Sequence, residues 1–117
     1  EISLTDARSL GLRVPVNLSG NLQGAADVCL LGEQGVYYAR QSVIAAQAHI
    51  HMTPDDARRL GVADGQVVRV AVQSQRPITF DQVLVRISPD FALAMHMDFD
   101  EANACLLAAD TRGILIK

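Results

Sequence analysis

The chain has 117 residues, of which 50% are hydrophobic and 20% charged, and its formal net charge is −3. This profile excludes a disordered tail, and the acidic balance gives no general attraction to nucleic acid or anionic membrane. No apolar run approaches the roughly 18 residues of a membrane span, and the first residues lack the order of a signal peptide. We therefore expect a cytoplasmic globular protein without membrane or nucleic-acid partners.

Short segments rich in Val, Ile and Leu predict a mainly β fold. Turn residues such as Ser19-Gly20-Asn21 and Asp64-Gly65 separate these segments. Strands at this spacing favour a β-barrel or a sandwich. The predicted strands are 13–18, 27–31, 36–39, 43–50, 66–72, 78–87 and 91–96, and residues 110–117 fit a final strand.

Three short helices are predicted from their capping residues. Thr53 is a good N-cap, Pro54 suits the first helical position, and Asp56 falls where a capping-box acid belongs. Gly61 then ends this helix. The same capping pattern recurs twice. In the first helix Ser3 is the N-cap, Asp6 the third helical residue and Gly11 the stop. In the last helix Asp98 is the N-cap and Glu101 the third helical residue.

The helix starts belong to an internal repeat of seven residues, in segments 1–7, 51–57 and 96–102. A repeat at this spacing predicts repeated architecture. The first residue of each segment is Glu1, His51 or His96. Each is a metal-binding residue type that comes two residues before a helix cap.

His49-Ile50-His51 ends a predicted strand, so both imidazoles share one face, about 6.6 Å apart, while Ile50 points to the core. Two surface histidines near a turn would give the same pattern. However, all three histidines of the chain occupy matching or adjacent positions of the repeat. Neutral imidazole is a preferred zinc ligand. We therefore predict that His49, His51 and His96 bind zinc in an enzyme's active site, with Glu1 as a carboxylate ligand.

The two cysteines, Cys29 and Cys105, are too few for a disulfide framework. Their apolar neighbours predict two buried free thiols without a metal or redox role, as expected in a reducing compartment.

Four stretches of the sequence resemble the phosphate propanoyltransferases, the phosphotransacylases of propanediol-utilising bacterial microcompartments. They are residues 43–57 (VIAAQAHIHMTPDDA), 83–89 (VLVRISP), 95–103 (MHMDFDEAN) and 1–8 (EISLTDAR). The stretches occur in the family's order and span nearly the whole chain.

The resemblance implies an enzyme that converts acyl-CoA, such as propanoyl-CoA or acetyl-CoA, and phosphate into acyl phosphate and CoA. The fold implied is a pair of β-barrels with short helices, and the site holds two zinc ions. By this likeness His49, His51 and His96 are zinc ligands and Glu1 binds the second zinc. His51 and His96 are the catalytic candidates, and Asn103, with His96, lies at the CoA.

The same likeness predicts how the chain is divided. Residues 1–46 would be the remainder of one β-barrel, and residues 47–117 a second barrel with the three histidines. Family members carry a further His-x-His segment earlier, so an N-terminal half of the same enzyme is an expected partner. A homodimer, association with a microcompartment shell and a location inside the compartment are all compatible with the family.

Two other functions remain open at this point. Residues 53–70 also resemble the cofactor-embracing barrel of molybdopterin oxidoreductases, which binds a dinucleotide without zinc. That barrel has no need for His-x-His followed by the Met-His-Met segment around His96. A purely structural zinc module would be expected to use more Cys ligands.

Overall fold

A computed structural model describes all residues, 1–117, and its elements are mainly β-strands, which confirms the predicted fold class. None of its helices is long and apolar enough to cross a membrane. The helices are α1 (Leu4–Ser9), α2 (Pro54–Leu60) and α3 (Phe99–Ala104). The strands are β1 (Val16–Asn17), β2 (Ala26–Gly32), β3 (Gly35–Val43), β4 (Ala45–Ala46), β5 (His49–Met52), β6 (Val67–Gln73), β7 (Ile78–Ile87), β8 (Ala94–His96) and β9 (Arg112–Ile116).

The chain divides into two compact units, Glu1–Ala46 and Gln47–Lys117. In the first unit, β1 pairs in parallel with β4, while β2 and β3 form an antiparallel hairpin. This hairpin carries large apolar side chains in solvent, with Leu31 81% and Tyr38 73% exposed.

The second unit is built on one five-stranded sheet in the order β8-β5-β7-β6-β9. β5 and β7 pair in parallel, and the other three pairs of neighbouring strands are antiparallel. One face of this sheet forms the core because alternate residues point to it. The core cluster comprises Ala48, Ile50, Met52, Ala57, Val68, Val70, Val83 and Val85. That the two units belong to two β-barrels stays a prediction.

All three predicted helix caps are confirmed. Thr53 and Asp56 form a complete capping box, and Asp98 and Glu101 form another. The Ser3 side chain likewise accepts a hydrogen bond from the Asp6 backbone N–H. α2 ends at Gly61, whose φ of 64° lies in the left-handed region that glycine adopts without a steric penalty.

Several sequence predictions need correction. Segment 43–50 is not one strand, since Val43 ends β3, Ala45–Ala46 form β4 and β5 begins at His49; the strand predicted from residue 91 begins only at Ala94. In the latter case Phe91 belongs to a turn, since its backbone N–H donates to the Ser88 carbonyl, 3.2 Å away. The buried thiol was predicted correctly for Cys105 and wrongly for Cys29, which is exposed. Cys29 lies on β2, where apolar neighbours do not indicate burial because the hairpin's faces are largely in solvent.

Candidate metal centre

The three histidines meet at one face of the second unit's sheet. On β5, His49 and His51 alternate with Ile50 and Met52, which belong to the core cluster. β8 runs antiparallel beside β5 and pairs His96 directly with His49. Paired residues of neighbouring strands point to the same face. The prediction that both β5 imidazoles share a face while Ile50 enters the core is therefore confirmed.

The imidazole rings form a compact triangle. Ring centroids are 4.9 Å apart for His49 and His51, 5.0 Å for His49 and His96, and 4.2 Å for His51 and His96. The rings of His49 and His96 are nearly parallel, with an interplanar angle of 10°. His49 is buried, His51 half-buried and His96 exposed. The triangle therefore reaches from the edge of the core to solvent.

A backbone hydrogen bond orients the His49 ring. Its Nδ1 lies 2.9 Å from the carbonyl oxygen of Gln47. A carbonyl only accepts, so Nδ1 carries the proton in this contact and the neutral ring keeps its lone pair on Nε2. Metal-binding histidines commonly have this arrangement, in which one nitrogen donates to the protein and the other binds the ion.

His51 presents a buried nitrogen without a partner. Its Nε2 is the one buried side-chain nitrogen or oxygen of the chain that lacks a hydrogen bond. Burial lowers the pKa of the His51 imidazole, and three neighbouring basic groups lower it further: His96, His49 and Arg86. The neutral form is therefore favoured. A buried polar atom without a partner is costly unless a ligand satisfies it.

An aromatic ring covers His51. The Phe91 ring lies parallel to the imidazole at an interplanar angle of 6°, with 3.9 Å between centroids. The guanidinium carbon of Arg86 lies 6.0 Å from the centroid of the same phenyl ring. Arg86 is also the residue of β7 that pairs with His51.

The two other predicted site residues are Asn103 and Glu1. Asn103 is an exposed residue of α3, the helix that begins shortly after His96. Glu1 belongs to the first unit, where its carboxylate accepts a hydrogen bond from the Gly20 backbone N–H, 3.3 Å away. In the present side-chain arrangement, no group of three or more His, Cys, Asp or Glu residues could hold a metal ion.

Sequence reasoning missed Phe91, Arg86 and Glu101 as neighbours of the histidines. Glu101 was assigned only a capping role, yet burial raises the pKa of its carboxyl, while the backbone hydrogen bond from Asp98 and, more weakly, the nearby His49 oppose the rise. Arg86 could not be found because nothing local in the sequence predicts the parallel pairing of β5 with β7. The signal for Phe91 was its position, since it is the aromatic residue that most closely precedes His96.

Comparison with known proteins gives a consistent result. A family model described as phosphate propanoyltransferase matches residues 1–108. The chain is 47% identical over 117 residues to a phosphate propanoyltransferase of Enterococcus faecalis, covering 100% of this chain and 56% of that protein. The proteins of that name from Listeria monocytogenes and Thermotoga maritima are 45% and 48% identical, covering 100% and 92% of this chain and 55% and 51% of their own lengths. The chain thus spans about half the length of the curated relatives that it matches.

Proposed function

This chain belongs to the phosphate propanoyltransferase family, and from that premise we propose that its histidine triangle is the zinc-binding part of a phosphotransacylase active site. The whole-length protein would convert an acyl-CoA, propanoyl-CoA or acetyl-CoA, and phosphate into acyl phosphate and CoA. The observation that carries the proposal is the buried, unpartnered Nε2 of His51 within a cluster of three imidazoles.

The donor chemistry of the triangle fits zinc. Zinc prefers imidazole nitrogen, and a catalytic zinc has three protein ligands with a further position left open. His49 already has the orientation of a ligand, since its Nδ1 is bound to the Gln47 carbonyl. His51 is kept neutral by its lowered pKa. The proposal requires the exposed His96 ring to rotate about its side-chain torsions, so that its nitrogen converges with those of His49 and His51.

The reaction itself needs orientation and charge stabilisation. A phosphate oxygen attacks the thioester carbonyl carbon, the carbon–sulfur bond breaks, and CoA leaves as the thiolate. When bound, zinc supplies positive charge for the oxyanion that develops on the carbonyl. His96 is exposed at the solvent end of the triangle, so the outer edge of its imidazole is the proposed contact with substrate. Asn103 on the following helix is proposed to contact CoA.

The rest of the site is proposed to come from outside the triangle. Glu1 is the proposed ligand of a second zinc, and further ligands would come from the part of the family's length that this chain does not match. A location inside a microcompartment, association with its shell and a homodimer are also proposals. The alternative cofactor-binding barrel is not favoured, because family membership extends over the His-x-His and Met-His-Met segments.

The proposal is tested by phosphate-dependent release of CoA thiol from propanoyl-CoA. The whole-length protein should release CoA only with phosphate, lose the activity on treatment with a chelator, and regain it with zinc. His96→Ala should abolish turnover, while Arg69→Ala, at an exposed residue of β6, should leave it unchanged. Full activity in His96→Ala, or in metal-free protein, would contradict the proposal.

A further inference from the structure

We infer that Phe91 is a positioning residue that fixes the plane of the His51 imidazole, an inference that deepens the proposed function and rests on its use of His51. The two rings are parallel to within 6° and their centroids lie 3.9 Å apart. This separation is close even for stacked rings, which in proteins usually have centroids 4.5–7 Å apart. The Phe91 ring therefore leaves the imidazole little freedom to tilt.

The backbone around Phe91 is built to hold it over His51. β7 ends at Ile87, and the next residue, Ser88, donates its backbone N–H to the carbonyl of Met52, the neighbour of His51, at 3.1 Å. The chain then turns, and the Phe91 N–H donates to the Ser88 carbonyl at 3.2 Å. β8 follows and pairs Ala94 with His51. The turn thus connects the two strands that flank His51, and it is anchored to the strand that carries His51.

No hydrogen bond orients the Nε2 edge of the His51 imidazole, so the stacking contact with Phe91 is what orients it. The imidazole torsion χ2 is broad, so an unrestrained ring samples many orientations. His49 is held by its contact with Gln47, whereas the Nε2 of His51 has no hydrogen-bond partner. Contact with the flat phenyl ring restricts χ2 and leaves Nε2 available for a ligand.

Arg86 holds the phenyl ring in turn. Its guanidinium carbon is 6.0 Å from the Phe91 centroid, within the range of a cation–π interaction. Arg86 also pairs with His51 across β5 and β7. An aromatic ring at position 91 is therefore required to hold the His51 imidazole, because it stacks on the imidazole and makes a cation–π contact with the Arg86 guanidinium. A branched aliphatic side chain makes neither contact.

The test compares Phe91→Leu with Phe91→Tyr, and uses Phe80→Leu as a control. Phe80, on β7, packs against the core cluster, so its loss removes an equal ring from the same unit without touching the histidines. In metal-free protein, the ring-proton NMR signals of His51 should carry an upfield ring-current shift. Phe91→Leu should abolish this shift, while Phe91→Tyr and Phe80→Leu should preserve it.

Zinc affinity, measured by competition with a chelator, provides the second measurement. Phe91→Leu should weaken zinc binding about tenfold, as is typical when a residue that orients a ligand is lost, and Phe91→Tyr should restore it. His51 signals that are identical in wild type and Phe91→Leu would overturn the inference, as would loss of the shift in Phe91→Tyr. A wild-type protein that binds no zinc would contradict the proposed function instead, and the NMR comparison would still decide the role of Phe91.

Discussion

His49 on β5 pairs directly with His96 on β8, and their imidazole rings lie nearly parallel with centroids 5.0 Å apart. These residues are distant in sequence, so the triangle exists only when the β5–β8 pairing has formed. The site is therefore a product of the sheet rather than of one local motif. Its stability should depend on the core residues that alternate with the β5 histidines.

Ile50→Asp should unfold the second unit. Ile50 is only 6% exposed and lies in the core cluster between the two β5 histidines. Burying an unpaired carboxylate costs several kcal/mol through desolvation. Urea denaturation followed by far-UV circular dichroism should show the loss. Val67→Asp is the control, since Val67 is 45% exposed on β6; equal stability of the two variants would be inconsistent with the assigned core.

Thr53→Ala should destabilise the protein by about 1 kcal/mol, the usual contribution of an N-cap. The Thr53 hydroxyl accepts from the Asp56 backbone N–H at 3.1 Å, and the Asp56 carboxylate accepts from the Thr53 backbone N–H at 3.3 Å. Thr53→Ser keeps the hydroxyl and serves as the control. A melting temperature of Thr53→Ala equal to that of the wild type, measured by thermal unfolding, would contradict the cap assignment.

The capping box also makes stability depend on pH. The hydrogen bond from the Thr53 side chain is the largest cause that lowers the pKa of the Asp56 carboxyl. A lowered pKa in the folded state means that the stabilisation is present above the ordinary aspartate pKa and is lost as the pH falls through the lowered value. In Thr53→Ala, a carboxyl NMR titration should show the Asp56 pKa returning toward its ordinary value. An unchanged titration would show that Thr53 is not the cause.

The fold class, all three helix caps and the face of the His-x-His pair were predictable, because each depends on local patterns of polarity and capping. The relation of His51 to Arg86 and Phe91 was not. It arises from the parallel pairing of β5 with β7 and from a turn anchored on Met52, both of which are long-range features. Cys29 shows a similar limit. Its apolar neighbours resemble core, yet they lie on a hairpin that is largely exposed.

The two cysteines should differ in reactivity but not in function. Cys29 is exposed, whereas Cys105 is 0% exposed, so an alkylating reagent should modify Cys29 quickly and Cys105 only on unfolding. Cys105→Ser should cost at most about 1 kcal/mol, because the Cys105 thiol donates to the Ala102 carbonyl, 3.5 Å away, and a hydroxyl can keep that hydrogen bond. Cys29→Ser should be neutral. Loss of zinc from either variant would show that the substituted cysteine is a zinc ligand.

Zinc content per chain, measured by elemental analysis of the purified whole-length protein, decides whether the histidine triangle is a metal centre. His51→Ala should lose most of the zinc while staying folded, with the unfolding transition of the metal-free wild type, since His51 lies on the face opposite the core. Ile50→Val, a change of one methylene at the adjacent core position, should keep its zinc. Normal zinc occupancy in folded His51→Ala would contradict the claim that the histidine triangle is the metal centre.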